Sequence, residues 1–581
     1  MLQQFLHIFI TSAICMVWGL PIYFYLKRRE IENYWNCNGQ GIFVFLFFGG
    51  LLSLAFLSSW AILFIPLKFN YLLSTTIGLI IILILFFKKA ILKLLQDCKF
   101  KKNTPFLQFL FILSCILLFT LLGTLKPVNI DTQLYHLQII RWTNEYGTVP
   151  GLANLYPRLG LGSNWFGLIS LFHIPSFKHQ NFTFLNSTIT IWFLFWLMNK
   201  WKYHNLLRLH DSHHRVFALF YFFLILYFLY DWQLFRDTAN STSYDFIVTA
   251  LMIVVISYIA EHLFTNAKNN FSFLLIVISV MIITFKLSGI FILIPVFFYL
   301  LNFKKQGIWI KTFIAGCVIL FPVLVKNYIV TGYPLYPSVV SFDSPEWQLP
   351  KEMAVKFQEY ILYVNKFYNQ QIGFIFSYNK TTFNWIPFWN DGILLKHKIL
   401  FCLSGLSLLS FFYYPFPSAV SHSKIKLFTL SLCLMAAGWF FTAPDPRFAF
   451  GFLLFMALFP LSFYISKYFD LLKIAKPAFA ILTLAVLAYS LKKSEIFFKA
   501  PQYLYTVESI DTPPFQPTII NNSSFNSTQP INDNWNNRCF FTPLPCLCEI
   551  NPYLRYRSNN LKDGFFMSLK PDSNFIINFN Y

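Results

Sequence analysis

The chain has 581 residues, of which 56% are hydrophobic and 12% are charged. With a mean hydropathy of +0.55, this composition excludes a soluble globular protein and predicts a multi-pass α-helical protein of a lipid bilayer. The formal net charge is +21, but Lys and Arg are scattered between apolar segments, which favours membrane topology and attraction to anionic lipid or phosphate, with no nucleic acid as partner.

Apolar segments of helix-spanning length recur along the whole sequence. They predict about fourteen transmembrane helices, within a range of roughly 11 to 14 because several segments are short. The first segment is followed, not preceded, by basic residues, which is typical of a transmembrane helix rather than of a signal peptide. The segments lie at 5–26, 41–66, 69–87, 106–125, 182–199, 216–230, 245–263, 271–286, 288–303, 308–325, 397–413, 427–441, 448–466 and 477–491.

The basic loops indicate the topology. If the loops at 27–30, 88–102, 200–215, 302–306, 421–426 and 466–476 are cytoplasmic, the helices alternate consistently and both termini are extracytoplasmic. Residues 160–174 must then form a re-entrant or surface helix. The predicted divisions in an inner (plasma) membrane are N-terminal helices 1–125, a first large extracytoplasmic loop 126–181, a transmembrane core 182–491 with extracytoplasmic loops 231–244 and 326–396, and an extracytoplasmic tail 492–581.

The first large loop opens with the polar stretch "PVNIDTQLYHLQIIRWTNEYGTVPG". Asp131 precedes a predicted helix over 132–146, so it is either an N-cap or a functional carboxylate. Helical spacing puts Tyr135 on the same side as Asp131, and His136 follows directly. A carboxylate at such a position can act as a general base, and a histidine can orient a substrate or assist proton transfer.

A second acidic set follows in "DWQLFRDTANSTSYDF", which contains Asp237 and Asp245. These carboxylates are either helix caps or ligands for an acceptor, or for a divalent metal (Mg²⁺ or Mn²⁺) beside Asp131. Basic residues at the ends or breaks of apolar segments are candidate ligands for a phosphate. These are Lys286, Lys326 and Arg447, with Arg141, Arg158 and Arg236 as secondary candidates and Asp445 as a possible partner of Arg447.

Several segments resemble the GT-C superfamily of polytopic membrane glycosyltransferases. The long first outside loop with its acidic residue and "LYH" is one, and "ITFKLSGIFILIP" (283–295) is similar to a lysine-containing helix break of such enzymes. "KNYIVTGYPLYPS" (326–338) resembles a bacterial "RNY…TGNPLYP" segment, with Lys326 in place of Arg and Tyr333 in place of Asn. "FNWIPFWN" (383–390) and "WFFTAPDPRFAFG" (439–451) complete the pattern.

The resemblance implies an all-α GT-C-like fold and an inverting sugar transfer. The donor would be a polyprenyl-phosphate-linked sugar, and the acceptor a cell-surface glycan or lipid on the extracytoplasmic face. Asp131 would be the general base, assisted by His136 and Asp245. The substrate-binding residues would be Tyr135, Arg141, Arg158, Arg236, Asp237, Lys286, Lys326 and Arg447.

The tail contains three cysteines, Cys539, Cys546 and Cys548, without a nearby histidine. This is a poor zinc set, so a disulfide is favoured in an extracytoplasmic tail, with Cys539–Cys546 as one pairing. The segment 538–565 also resembles the tail of an uncharacterised bacterial membrane-protein family met in surface-polysaccharide contexts.

Two other functions fit a polytopic envelope protein. A polysaccharide polymerase or ligase has a similar large outside loop, but relies chiefly on Arg and His. A polysaccharide transporter or flippase would be expected to show internal repeats and matched broken helices, and the sequence has no clear repeat.

Overall fold

A computed structural model gives the fold, and most of the residues that it describes are helical. These residues are 1–27, 38–97, 106–127, 129–177, 182–207, 212–231, 238–265, 272–301, 306–368, 370, 372–378, 383–413, 422–468, 471–508, 514–520, 523–528, 538–547, 551–568 and 571.

Each of the fourteen apolar segments coincides with a helix, because an apolar chain without water must satisfy its own backbone hydrogen bonds. The ninth begins as a 3₁₀ turn, Leu287–Ile292. The helices are α1 Leu2–Lys27, α2 Asn38–Ala61, α3 Phe69–Asp97, α4 Phe106–Thr124, α5 Phe184–Leu207, α6 Ser212–Tyr230, α7 Asp245–Thr265, α8 Ser272–Phe285, α9 Leu293–Leu300, α10 Gln306–Thr331, α11 Leu395–Tyr413, α12 His422–Thr442, α13 Phe450–Ile465 and α14 Leu471–Ser494.

Eight helices in the described part of the chain are long and apolar enough to cross a membrane. This finding supports a multi-pass helical membrane protein, while a total of fourteen crossings stays a prediction. The eight are Leu2–Leu26, Gly41–Ala61, Phe106–Thr124, His213–Tyr230, Asp245–Phe264, Trp309–Thr331, Leu395–Phe412 and His422–Thr442, and three shorter apolar helices are Phe273–Phe285, Leu287–Leu300 and Phe450–Ile465.

Short helices fill the loops between these elements. Within the predicted re-entrant segment 160–174, the helix Asn164–Leu171 has eight residues and is buried throughout. At 1.5 Å per residue it is about 12 Å long, too short to cross a bilayer core of about 30 Å. The others are the π-helix Thr132–His136, the α-helices Leu137–Glu145, Lys351–Tyr363, Ile372–Ser377, Ile386–Gly392 and Ile496–Lys499, and the 3₁₀ turns Leu152–Asn154, Pro157–Gly160, Pro446–Phe448, Pro501–Leu504 and Leu561–Asp563.

Helices α1 and α2 cross in very close contact through glycines. A Cβ atom added to Gly50 would overlap the backbone of Cys15, and one added to Gly19 would overlap the backbone of Leu46. Small residues of this kind let membrane helices approach until their backbones touch. The two glycines therefore fix the distance between the first two helices.

Gly50→Ala is expected to destabilise the protein by about 1–3 kcal/mol, because the new methyl group meets backbone that has no free space to move into. The neighbouring Gly49→Ala is the matched control, since its Cβ would lie 3.9 Å from the Ile22 Cδ1 atom, an ordinary contact. Thermal unfolding of both variants in detergent measures the difference. Equal melting temperatures would show that the two helices are not held at this distance.

The tail departs from an all-α description because it contains two small sheets. Strand β1 (Phe515–Ile520) is antiparallel to β2 (Ser523–Thr528), and β2 is parallel to β3 (Cys546–Leu547). Strand β4 (Leu554–Tyr556) is antiparallel to β5 (Phe565–Met567). A disulfide joins Cys539 to Cys546, the pairing that the sequence favoured.

The tail packs against the first large loop. The Phe565 N–H donates to the Pro150 carbonyl at 3.0 Å, and the Phe565 ring meets Trp142 edge to face. Nearer the disulfide, the Gln138 amide donates to the carbonyls of Phe540 and Thr542 at 3.1 and 3.2 Å. The loop and the tail thus support one another at the same end of the helices.

Candidate functional site

The π-helix Thr132–His136 opens the site, and Asp131 stands directly before it. Asp131 makes no side-chain cap hydrogen bond. The capping contact comes instead from Asn129, whose Oδ1 accepts from the Asp131 N–H at 2.8 Å. A π-helix is rare and is frequent at functional sites. The Asp131 carboxylate therefore does not cap the start of the helix, and the residue is half-buried.

His136, the last residue of the π-helix, is buried, and one of its two ring nitrogens has a hydrogen-bond partner. Its Nδ1 lies 2.9 Å from the Thr242 hydroxyl oxygen, and that hydroxyl donates to Thr132 at 3.0 Å. Its Nε2 has no hydrogen-bond partner among the described residues. The chain Thr132–Thr242–His136 fixes the ring and joins the π-turn to the segment that precedes α7.

Burial lowers the pKa of His136 to about 4, although the charges of Asp131 and Asp245 oppose the shift. The ring is consequently neutral near pH 7. Between pH 6.5 and 4 the unfolded chain binds a proton that the folded chain does not, so folding stability falls as the pH drops through this window. Above pH 6.5 both states are neutral, and the difference disappears.

We expect acidification from pH 7.5 to 4.5 to destabilise the wild type by up to about 3 kcal/mol through this histidine alone. His136→Gln should flatten that part of the pH dependence. Unfolding in detergent at several pH values measures the effect. An unchanged acid limb in His136→Gln would contradict a buried neutral ring.

Tyrosines surround Arg158 at the edge of the site. The Arg158 Nη2 donates to the Tyr360 hydroxyl at 2.8 Å, and its guanidinium lies 5.1 Å from the centre of that ring and 5.9 Å from the centre of Tyr135. Burial raises the pKa of Tyr135 well above its usual value, so its hydroxyl stays protonated. Tyr360 belongs to the helix Lys351–Tyr363, and it thus brings the long 332–394 loop to the site.

Lys286 lies at a break between α8 and the next 3₁₀ turn, where its backbone is extended. Its ammonium donates to Oδ1 of Asp245, the first residue of α7. It also lies 3.1 Å from the ring centre of Phe448 and 5.3 Å from that of Tyr244. Asp245, predicted to be catalytic, is therefore the counter-ion of Lys286 in this structure.

Arg447 is held in a similar way. The Asp445 carboxylate accepts from Arg447 N–H at 2.8 Å, from Nε at 3.0 Å and from Nη2 at 2.8 Å. Asp445 also raises the pKa of Arg447 well above its usual value, with smaller contributions from Asp245 and Asp131. The Arg447 side chain is nevertheless 48% exposed, so one side of the guanidinium is open to a ligand.

Lys326 lies near the end of α10 and is buried. Its ammonium donates to the Gly162 carbonyl at 3.2 Å. One residue further on, the Ser163 hydroxyl donates to the Phe285 carbonyl at 2.6 Å, next to Lys286. The segment 161–163 therefore runs between Lys326 and the helix break that carries Lys286.

The structure brings these residues to one end of the helices. The Asp131 carboxylate acts electrostatically on Tyr135, His136, Tyr244 and Arg447. The site therefore combines the Asp131 carboxylate, tyrosine rings and several cations. Sequence reasoning missed Tyr244, Thr242, Tyr360 and Phe448, for which "STSYDF" (241–246) and "PRF" (446–448) gave only local hints.

Other predicted site residues have different surroundings. Arg141 binds the tail, because its Nη1 donates to the Phe541 carbonyl at 2.9 Å and its Nε pairs with Glu145 at 2.6 Å. Arg236 and Asp237 lie outside the described residues. Within the part of the chain that the structure describes, no group of three or more His, Cys, Asp and Glu side chains is arranged to hold a metal ion. Because Asp237, one of the predicted ligands, is not among the described residues, the divalent metal stays a prediction, and we derive no step through it.

Fold and site together define a multi-pass α-helical membrane protein with a charged, tyrosine-lined site at one end of its helices. The chain belongs to the family described as a domain of unknown function, DUF8201, which matches residues 1–454. This match includes every site residue discussed above and ends before the tail. Comparisons with curated proteins and with solved structures give no match.

Proposed function

We propose that the protein is a membrane glycosyltransferase that moves a sugar from a polyprenyl-phosphate donor to a cell-surface glycan or lipid acceptor. The GT-C-like segments of the sequence motivate this proposal. In it, about fourteen helices cross the inner membrane, and the site and the tail face the extracytoplasmic side.

One observation carries the proposal: Asp131 leads a π-turn, and Asn129, not Asp131, supplies the helix cap. A carboxylate that does not cap its helix and lies beside tyrosines and cations is suited to an inverting glycosyl transfer. The carboxylate activates the acceptor hydroxyl, and the cations stabilise the departing phosphate.

In the proposed reaction, an Asp131 oxygen takes the proton of an acceptor hydroxyl. The hydroxyl oxygen forms a bond to the anomeric carbon of the donor sugar while the bond from that carbon to the phosphate oxygen breaks. The electron pair of the broken bond leaves with polyprenyl phosphate, whose added negative charge is met by Lys and Arg side chains. Attack from the face opposite the phosphate inverts the anomeric centre.

Gene deletion and complementation in the native bacterium test the function. We expect the deletion strain to lack one surface glycan or glycolipid modification and to accumulate a polyprenyl-linked sugar, and wild-type protein to reverse both changes. An unaltered glycan profile, with unaltered lipid-linked sugars, would contradict the proposal.

A second candidate function is transport, and a buried charged cluster at the other end of α7 favours it. Glu261 accepts from Lys200 Nζ at 2.8 Å and from His204 Nε2 at 3.1 Å, and Tyr221 also donates to it. Glu261 lies 16 positions after Asp245, which corresponds to about 24 Å along the helix. Buried ionisable clusters of this kind occur in proton-coupled transporters.

The two functions respond differently to Glu261→Gln. If the protein is a transporter that moves protons through the cluster, Glu261→Gln should fail to restore the surface glycan in the deletion strain, and Asp131→Asn should restore it. If the protein is a transferase, Asp131→Asn should fail to restore the glycan, and Glu261→Gln should restore it. Immunoblots must confirm that both variants are present in the membrane in equal amounts.

A further inference from the structure

The tail is hydrogen-bonded to the segment that carries Asp131 on both sides of that residue. Before Asp131, a Glu508 carboxylate oxygen accepts from the Lys126 N–H at 2.8 Å. After it, the Phe540 N–H donates to the Gln133 carbonyl at 3.1 Å. Asp131 therefore lies between two points at which the tail holds the backbone.

The second of these points is the more extensive, and we call its tail residues, 538–542, the clasp. The Gln138 amide donates to two clasp carbonyls at 3.1 and 3.2 Å, and Arg141 Nη1 donates to a third at 2.9 Å. The Arg141 guanidinium also lies 4.9 Å from the centre of the Phe541 ring. Because the acceptors are backbone carbonyls, these contacts require the clasp backbone to keep its conformation.

The disulfide and a local turn maintain the conformation of the clasp. The Cys539–Cys546 bond closes the loop that contains most of the clasp, and the Thr542 N–H donates to the Cys539 carbonyl at 2.8 Å. Phe540 has a φ of +43°, a conformation that is uncommon for a residue other than glycine and persists only where the surroundings hold it. Loss of the disulfide would release the clasp carbonyls from the positions in which they meet the helix.

The segment that follows Asp131 is thus held from two directions. Thr132 and His136 are hydrogen-bonded to Thr242, on the side of α7, whereas Gln133 is hydrogen-bonded to the clasp. A π-helix is rare and occurs mostly as a single turn within an α-helix. Without the clasp, we expect the turn to return to the commoner α-helical pattern, which would rotate Asp131 relative to His136.

We propose that the clasp positions Asp131: it maintains the π-turn and thereby holds the carboxylate in the site, and the disulfide makes this positioning dependent on an oxidised tail. The clasp acts through the helix and not on a substrate, so its residues are positioning residues. That the position of Asp131 serves sugar transfer rests on the proposed function, whereas the coupling between the clasp and the π-turn does not.

Hydrogen–deuterium exchange of the purified full-length protein in detergent tests the coupling. In the double variant Cys539→Ser with Cys546→Ser, we expect the amides of residues 132–141 to exchange at least tenfold faster than in wild type, while those of α7 and α13 keep their rates. Both cysteines are replaced because either one, left alone, would remain able to pair with Cys548. Wild-type protein treated with a phosphine reductant should show the same local change.

Gln138→Leu provides an independent variant, since it removes two of the clasp hydrogen bonds and leaves the disulfide intact. It should also speed exchange of residues 132–141, and its effect should be less than additive with loss of the disulfide, because both changes remove the same contact. Two controls should exchange as wild type does. Arg557→Gln breaks a surface pair with Glu346 elsewhere in the tail, and Cys402→Ser replaces an exposed free cysteine.

Unchanged exchange of residues 132–141 after loss of the disulfide would overturn the inference. Faster exchange in all helices alike would overturn it too, since that is the result expected of a tail that only adds stability. In the deletion strain, the double serine variant should restore at most a tenth of the surface glycan at an equal amount of protein in the membrane. Full restoration despite faster local exchange would refute the positioning of Asp131.

The proposed function fails by a different result. If the deletion strain shows no altered glycan or lipid-linked sugar, sugar transfer is rejected, and the exchange experiment still decides whether the clasp maintains the π-turn.

Discussion

Asp131→Asn is expected to reduce sugar transfer by about 10²–10⁴-fold, the usual range for loss of a general base. Asparagine has nearly the same shape but accepts no proton at physiological pH. Because Asn129 supplies the helix cap, the substitution should leave the π-turn and the melting temperature nearly unchanged. The measurement is restoration of the surface glycan and of lipid-linked sugar levels by the variant in the deletion strain.

Glu145→Gln is the matched control for this experiment. Glu145 is a carboxylate at the end of the same helical segment and pairs with Arg141 at the surface, so we expect wild-type complementation. Full complementation by Asp131→Asn would contradict the proposal that Asp131 is the general base. If substitutions of Arg158 and Arg447 were then the damaging ones, a polymerase or ligase that relies on arginine would be favoured instead.

The helices were predictable because their signal is local. An apolar segment of sufficient length forms a helix in a membrane whatever its neighbours are, and each such segment has one here. The short helix Asn164–Leu171 was harder to assign, since its composition resembles a span and only its length of eight residues distinguishes it. Whether every long helix crosses the bilayer depends on the lipid environment, which the helix bounds alone do not define.

The site was predictable only in part, because its pairings join distant residues. Asp131, Tyr135 and His136 share one helical segment, so spacing was sufficient to group them. Asp245 and Lys286 are 41 residues apart, and the local sequence around either residue does not indicate that the two form an ion pair. The same holds for Thr242, whose contact with His136 spans 106 residues. Asn129 was overlooked because Asp131 is an equally good cap by residue type.

Lys286→Gln is expected to destabilise the protein by about 3 kcal/mol, because removal of one member of a buried ion pair leaves the other uncompensated. The side chains of Lys286 and Asp245 are only 11% and 19% exposed, so water replaces the lost partner poorly. We take the lower end of the usual 3–5 kcal/mol range, since Arg447 also acts on Asp245. Asp245→Asn should cost less, because the Lys286 ammonium keeps its contact with the Phe448 ring.

The double variant, Lys286→Gln with Asp245→Asn, separates stability from function. With both charges removed, we expect most of the lost stability to return, which gives a coupling energy of at least 1 kcal/mol in a double-mutant cycle. Thermal unfolding in detergent measures it, and Lys356→Gln, which breaks a surface pair worth less than about 1 kcal/mol, is the control. Sugar transfer should stay low in the double variant, since Lys286 no longer meets the leaving phosphate. A stable double variant with full transfer would assign the pair to folding alone, and the phosphate would then depend on Lys326 and Arg447.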